Sequence, residues 1–176
     1  YPMGTILNIY TDAGSGEHNN VWPKQWAIDY FRVWKKDGGY EIPSYHIKNR
    51  ETGKYLNIEE NNDKVSYGDL NEFDTNGVWK KEQAGDYIRL KNEKTEDYLH
   101  VESQSGFLEH GKVPKTYYSA QWKSENEGNY LRFNNRWKNN SYTHIEDQMG
   151  VVQYGNVPKE YWSSQWELIP VDLEVK

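Results

Sequence analysis

The chain has 176 residues, a net charge of −6 and no cysteine, so it holds one ordinary domain with some extra and can form neither a disulfide nor a thiolate metal site. The acidic balance argues against wholesale binding of nucleic acid or anionic membrane, which basic faces meet, and no apolar run approaches a membrane span. Mean hydropathy is −1.09 while 15% of residues are aromatic, which describes a folded polar domain rich in ring surface, not a disordered chain.

In chain order, residues 1 to 36 come first and contain two strand-like runs, Thr5–Tyr10 and Trp26–Trp34, separated by a turn-rich stretch over Asp12–Asn20. Two lone strands cannot bury their own faces, so they read as parts of a sheet belonging elsewhere. Opening on Tyr1 instead of Met, the chain is expected to be an excised piece of something longer. A linker, Lys36-Asp-Gly-Gly39, follows, and the expected boundaries are 1–38 for the leading segment and 43–170 for a second domain.

The second domain is a repeat. Tyr55-Leu-Asn-Ile-Glu59, Tyr98-Leu-His-Val-Glu102 and Tyr142-Thr-His-Ile-Glu146 are each followed by an aromatic-Gly pair and, twenty residues after the glutamate, by Trp79, Trp122 or Trp166. The copies run 45–82, 87–125 and 130–168, and each reads as four short strands; in the first these are Tyr45–Asn49, Tyr55–Glu59, Lys64–Tyr67 and a strand entered at Trp79. Three units are too few for a propeller. The expectation is an all-β fold, a closed threefold barrel of the β-trefoil type, with a short non-repeat β segment before it.

Alternation within the second strand assigns roles. Leu56 and Ile58, Leu99 and Val101, Thr143 and Ile145 should face the core, which turns Asn57, His100 and His144 outward together with Glu59, Glu102 and Glu146. The aromatic-Gly pairs supply Tyr67, His110 and Tyr154. Loops stiffened by Pro114 and Pro158 then present Tyr117-Tyr118 and Tyr161-Trp162 just before the last strand. A ring on a stiff loop beside a carboxylate suits a sugar: the apolar pyranose face stacks on the ring, the carboxylate accepts charge-assisted bonds from hydroxyls, and preorganisation lowers the entropic cost. The candidate sites are therefore Glu146, Tyr154, Trp162 and His144; Glu102, His110, Tyr118 and His100; and Glu59 with Tyr67. In the first copy Asp74-Thr75 replace the paired rings and the proline is missing, so only Phe73 is left to stack there and a weak or dead site is expected.

Simpler readings apply to several of these residues. Trp79, Trp122 and Trp166, with Tyr45, Tyr87 and Tyr130, are assigned to packing. The glutamates could serve only to pin a turn. A satisfied surface histidine is the default for His100 and His144, and without a third ligand no metal site is expected; nothing points to a cofactor.

The pattern Tyr98-Leu-His-Val-Glu102, Tyr154-Gly-Asn-Val-Pro158, Tyr161-Trp-Ser-Ser-Gln-Trp166 resembles carbohydrate-binding module family 92, a group of ricin-like β-trefoils, over about residues 43 to 170. The resemblance implies up to three equivalent surface sites that pair a Trp with a Glu and bind β-1,3- or β-1,6-glucan or carrageenan. By position these are Trp162 with Glu146, and Tyr118 with Glu102, where Tyr stands in place of Trp. Lys112, Lys115 and Lys159 in the two intact loops favour the sulfated ligand, and the acidic balance favours the neutral one.

The run Trp22-Pro-Lys-Gln-Trp-Ala-Ile-Asp29-Tyr30-Phe-Arg32-Val33-Trp34 resembles the last strand of a glycoside hydrolase family 16 jelly roll. That family's catalytic Glu-x-Asp-x-Glu strand occurs nowhere in the chain. Together the two resemblances imply a non-catalytic, multivalent, monomeric polysaccharide-binding module, secreted or at the cell surface, that holds an attached hydrolase on its substrate. A protein-interaction trefoil is the alternative. A glycosidase in its own right is the least supported reading, because Glu102 and Glu146 lie in different repeats and neither stands in a Glu-x-Asp-x-Glu strand.

Overall fold

A computed structural model describes residues 43–59, 61–71 and 74–171. The chain divides into two units, Tyr1–Gly39 and Tyr40–Lys176, and every described residue belongs to the second. The strands and linker expected over residues 1–38, and Phe73 of the first-repeat loop, lie outside the described residues.

Each repeat forms four antiparallel strands. They are β1 (Ser44–Asn49), β2 (Tyr55–Ile58), β3 (Val65–Gly68) and β4 (Val78–Ala84); β5 (Tyr87–Asn92), β6 (Tyr98–His100), β7 (Glu109–Gly111) and β8 (Trp122–Glu127); β9 (Tyr130–Asn135), β10 (Tyr142–His144), β11 (Gln153–Gly155) and β12 (Trp166–Val171). The outer strands of each repeat close a six-stranded ring, β1-β4-β5-β8-β9-β12 and back to β1. The inner strands form three hairpins, β2/β3, β6/β7 and β10/β11, joined across one end of the ring by bridges Lys64↔Glu109, Ser66↔Val151 and Phe107↔Gln153. A six-stranded barrel capped by three hairpins is the β-trefoil.

The inward half of the alternation predicted for the second strands is present, whereas His144, expected to face outward, is itself buried. Leu56, Ile58, Leu99, Val101, Thr143 and Ile145 are all buried. Trp79, Trp122 and Trp166 are 0% exposed, as their even spacing predicts. Each indole N–H donates to a carbonyl of its own repeat, Leu56 O at 3.0 Å, Leu99 O at 3.3 Å and Thr143 O at 3.2 Å, so the only polar atom of each ring is satisfied inside the core.

A single 3-10 turn precedes each of these strands, at Thr75–Gly77, Tyr118–Ala120 and Trp162–Ser164. An asparagine of the following repeat fastens each turn: the side-chain amide of Asn92 donates to Asn76 O, that of Asn135 to Ser119 O, and that of Asn49 to Ser163 O. The Oδ1 of each asparagine accepts two backbone N–H groups of its own β-turn, so both ends of the amide are used. The loops that carry the candidate rings are thus fixed from outside their own repeat.

Candidate functional site

The carboxylate comes from the strand. Glu102 stands just past β6 and is exposed; its backbone N–H donates to His100 Nδ1 at 3.2 Å, and its Oε1 accepts from the Ser119 hydroxyl. The third repeat repeats this: Glu146 N–H donates to His144 Nδ1 at 3.3 Å and Oε1 accepts from Ser163. An imidazole that accepts a backbone N–H is neutral, and burial pushes both histidines below their ordinary value. At His100 the carboxylate of Glu109 pulls the other way without prevailing.

The glycine of each aromatic-Gly pair now has a reason. A Cβ on Gly111 would stand 3.0 Å from His100 Nε2, and one on Gly155 3.1 Å from His144 Nε2. The histidines therefore sit under the carboxylates as positioning groups, and the glycines clear the space for them.

The partners of those glycines lie elsewhere. Strand register sets Leu56 opposite Tyr67, Leu99 opposite His110 and Thr143 opposite Tyr154, and directly opposed residues share a face, so these rings stand on the core side of each hairpin. Tyr67 and Tyr154 pack on the core, while His110 is held by Asp97 at 2.9 Å and by Asn62 O at 2.7 Å. Grouping Tyr67, His110 and Tyr154 with the glutamates is corrected on this ground: one step along a strand changes the face.

The stacking ring comes from the 3-10 turn. Tyr118 and Trp162 occupy its first position and are 50% and 52% exposed. Each lies on a guanidinium from the following repeat. The Arg136 Cζ stands 3.6 Å from the Tyr118 ring centre and 4.4 Å from that of Tyr87; Arg50 Cζ stands 4.1 Å from Trp162 and 4.5 Å from Tyr130. Gln121 and Gln165 orient these cations, each accepting from the guanidinium at 2.5 Å and donating to a loop carbonyl, Lys115 O or Lys159 O. The loop ring is pinned between protein and solvent and offers its outer face.

Three residues absent from the sequence expectation, Arg50, Arg136 and Trp137, thus belong to the sites. A hollow of about 340 Å³ is lined by Glu102, Thr116, Tyr117, Tyr118, Ser119 and Trp137. Trp137, 43% exposed, is contributed by the third repeat and held there by its backbone bond to Asn135 Oδ1. In the third site the matching position is Glu51, bonded by Gln148. One signal could have exposed the arginines: the dipeptide Asn49-Arg50 recurs as Asn135-Arg136 but becomes Asn92-Glu93 in the second repeat.

That change falls where the first site has lost its ring. Thr75 stands at the ring position, Asn76 at that of Ser119, and Val78 at that of Gln121, while Glu93 is paired to Lys80 at 2.8 Å. Glu59 is exposed at its expected place, so the described part of this site keeps the carboxylate and lacks ring, guanidinium and glutamine together.

A family profile described as "Ricin-type beta-trefoil lectin domain-like" matches residues 22–117. The chain belongs to this lectin family. A lectin-type trefoil implies a carbohydrate ligand, which is what the ring and carboxylate pairs can hold. Among solved structures the lectin chain resembles a GlcNAcα1-4Gal releasing endo-β-galactosidase from Clostridium perfringens, with 58% identity and a TM-score of 0.73, over 92% of this chain and 41% of that one. The chain therefore spans well under half the length of that enzyme. It shares its fold with ThreeFoil, a designed threefold symmetric protein (20% identity, TM-score 0.63, 74% of this chain and 99% of that one). It also shares it with the exo-β-1,3-galactanase 1,3Gal43A from Clostridium thermocellum (19% identity, TM-score 0.65, 74% and 31%). No curated protein matches the sequence.

Proposed function

We propose that this lectin domain is a non-catalytic module that binds neutral, galactose-containing glycans outside the cell and holds an attached glycosidase on them. The observation that carries this reading is that one arrangement is built twice from different repeats. Tyr118 with Glu102 and Trp162 with Glu146 each combine an exposed ring backed by a guanidinium with a carboxylate aimed by a neutral histidine and a serine. Galactose is favoured over glucan because the relative at 58% identity is by its title an endo-β-galactosidase. The resemblance to carbohydrate-binding module family 92 supports the two-site assignment, and that of residues 22–34 to family 16 hydrolases supports the attached enzyme.

A neutral ligand fits the charges better than carrageenan. Lys112 reaches Thr95 O at 2.5 Å and Asp97 at 3.4 Å, so of the three loop lysines only Lys115 and Lys159 are left as candidates to meet sulfate, beside Glu102, Glu146 and Glu160. Single stacking sites are weak, and two on one rigid body gain about a hundredfold or more when a polymer reaches both.

Affinity gels containing galactan, β-1,3-glucan or carrageenan, each run at two salt concentrations, test the proposal. Retardation is expected in galactan, nearly independent of salt, reduced by Trp162→Ala or Tyr118→Ala and abolished in the double variant. Normal retardation of the double variant would overturn the site; retardation only in carrageenan, falling steeply with salt, would overturn the neutral ligand.

A further inference from the structure

The two intact sites differ in one wall. Trp137 lines the second repeat's hollow together with Tyr118, whereas at the third site the matching residue is Glu51. Trp137 is held in place on two sides: Asn135 fixes its backbone, and Lys138, with Nζ 4.5 Å from its ring centre, donates to Gln104 of the second repeat at 2.5 Å. Gln148, the counterpart of Gln104, donates to Glu51 directly at 3.4 Å. The same scaffold therefore presents an indole to one site and a carboxylate to the other.

A pyranose has one good apolar face, and Tyr118 takes it with the exposed ring face that Arg136 leaves free. A second aromatic wall then has no hydrogen-clad face of the same sugar to meet. It suits an apolar substituent on the ring. The commonest such group is the methyl of an N-acetylated amino sugar, whose amide N–H is at the same time a donor for a carboxylate. Glu102 lines the hollow with one oxygen already engaged by Ser119 and is the acceptor for that N–H. A hollow of about 340 Å³ is near the lower end for small-ligand pockets, which fits one or two sugar units instead of a long chain. At the third site Glu51 offers no surface to a methyl and would lose hydration on meeting one.

Resting on the sugar-binding reading above, we propose that Trp137 makes the second-repeat site selective for N-acetylhexosamines, and that Glu51 leaves the third-repeat site indifferent to N-acetylation. The two sites then read different units of one glycan.

The test uses the whole 176-residue protein. Indole N–H signals of Trp137 and Trp162 report the two sites separately by NMR, with the Ser119 amide as a reporter that survives substitution of Trp137. Galactose is titrated against N-acetylgalactosamine, and glucose against N-acetylglucosamine. In at least one pair the acetylated sugar should bind the second site roughly fourfold more tightly, the gain from burying one methyl, while Trp162 responds alike to both. Trp137→Ala and Trp137→Glu should abolish the preference at Ser119, and Glu51→Trp should create one at Trp162. Equal affinities at the second site, or a preference that survives both substitutions of Trp137, would overturn the inference and leave sugar binding standing. If no sugar shifts Trp162, Trp137 or Ser119, the sugar-binding reading falls and this inference with it.

Discussion

At the scale of single residues, the three copies can be compared atom by atom, and the odd one out carries the information. Thr143 occupies the place of Leu56 and Leu99, is 2% exposed, and its Oγ1 has no hydrogen-bond partner among the described residues. A buried hydroxyl without a partner costs about 1–3 kcal/mol, and valine keeps the shape without the oxygen. Thr143→Val should therefore raise stability by about 1 kcal/mol, seen as a melting temperature ~2–4 °C higher. An unchanged or lower melting temperature would show that the hydroxyl is satisfied. Arg89 shows the same logic from the other side. Arg132 Nε donates to Ser164 Oγ at 3.1 Å, but alanine stands at the equivalent position 120, and Arg89 Nε has no partner among the described residues.

At the scale of elements, the short 3-10 turn before each closing strand decides whether a ring is displayed. The turn places Tyr118 or Trp162 outward and Ser119 or Ser163 toward the carboxylate, and the next repeat supplies the asparagine and arginine that hold it. Replacing Arg136 by alanine removes the cation that lies on the Tyr118 ring. It should weaken glycan binding at the second site several-fold, in line with about 0.5–2 kcal/mol for a cation on an aromatic face. The third site should be untouched. Titrations read at Ser119 and at Trp162 check this, and equal losses at both sites would mean general disturbance instead of local support.

The turn also marks the limit of sequence reading. The ring, the proline and the carboxylate were legible because they recur at equal spacing within a repeat. Arg50, Arg136 and Trp137 were not, because their partners lie in another repeat: Arg136 is near its ring in sequence, but Arg50 meets Trp162 only when the barrel closes. Tyr67, His110 and Tyr154 were misplaced for a different reason. The spacing is the same in all three repeats, but spacing alone does not give the path of the loop that sets the register between β2 and β3 and their counterparts, and one residue of register decides the face.

At the scale of the whole molecule, the histidines under the carboxylates tie stability to pH. His100 and His144 are pushed below their ordinary value of 6.5 by burial, so the unfolded chain takes up protons on these residues before the folded one does. Stability from this source is complete above pH ~6.5 and is lost as pH falls below it. Melting at pH 7.5 and 5.5 should show a lower temperature at 5.5. The double variant His100→Asn, His144→Asn, which copies Asn57 of the first repeat, should flatten that difference. An identical drop in the variant would place its origin elsewhere. The trefoil itself was fully legible, since three evenly spaced tryptophans and three alternating strands define one closed core.

Both intact candidate sites are completed by the repeat that follows, the second by the third and the third by the first, so a mutation at the end of β1 or β9 is felt one repeat upstream. Glu93 lies in the second repeat, yet the site it fails to support is the first. Support of the displayed ring is thus a property of the joints between repeats, and a change at one joint reaches the ring of the preceding repeat while leaving the loop of its own repeat unchanged.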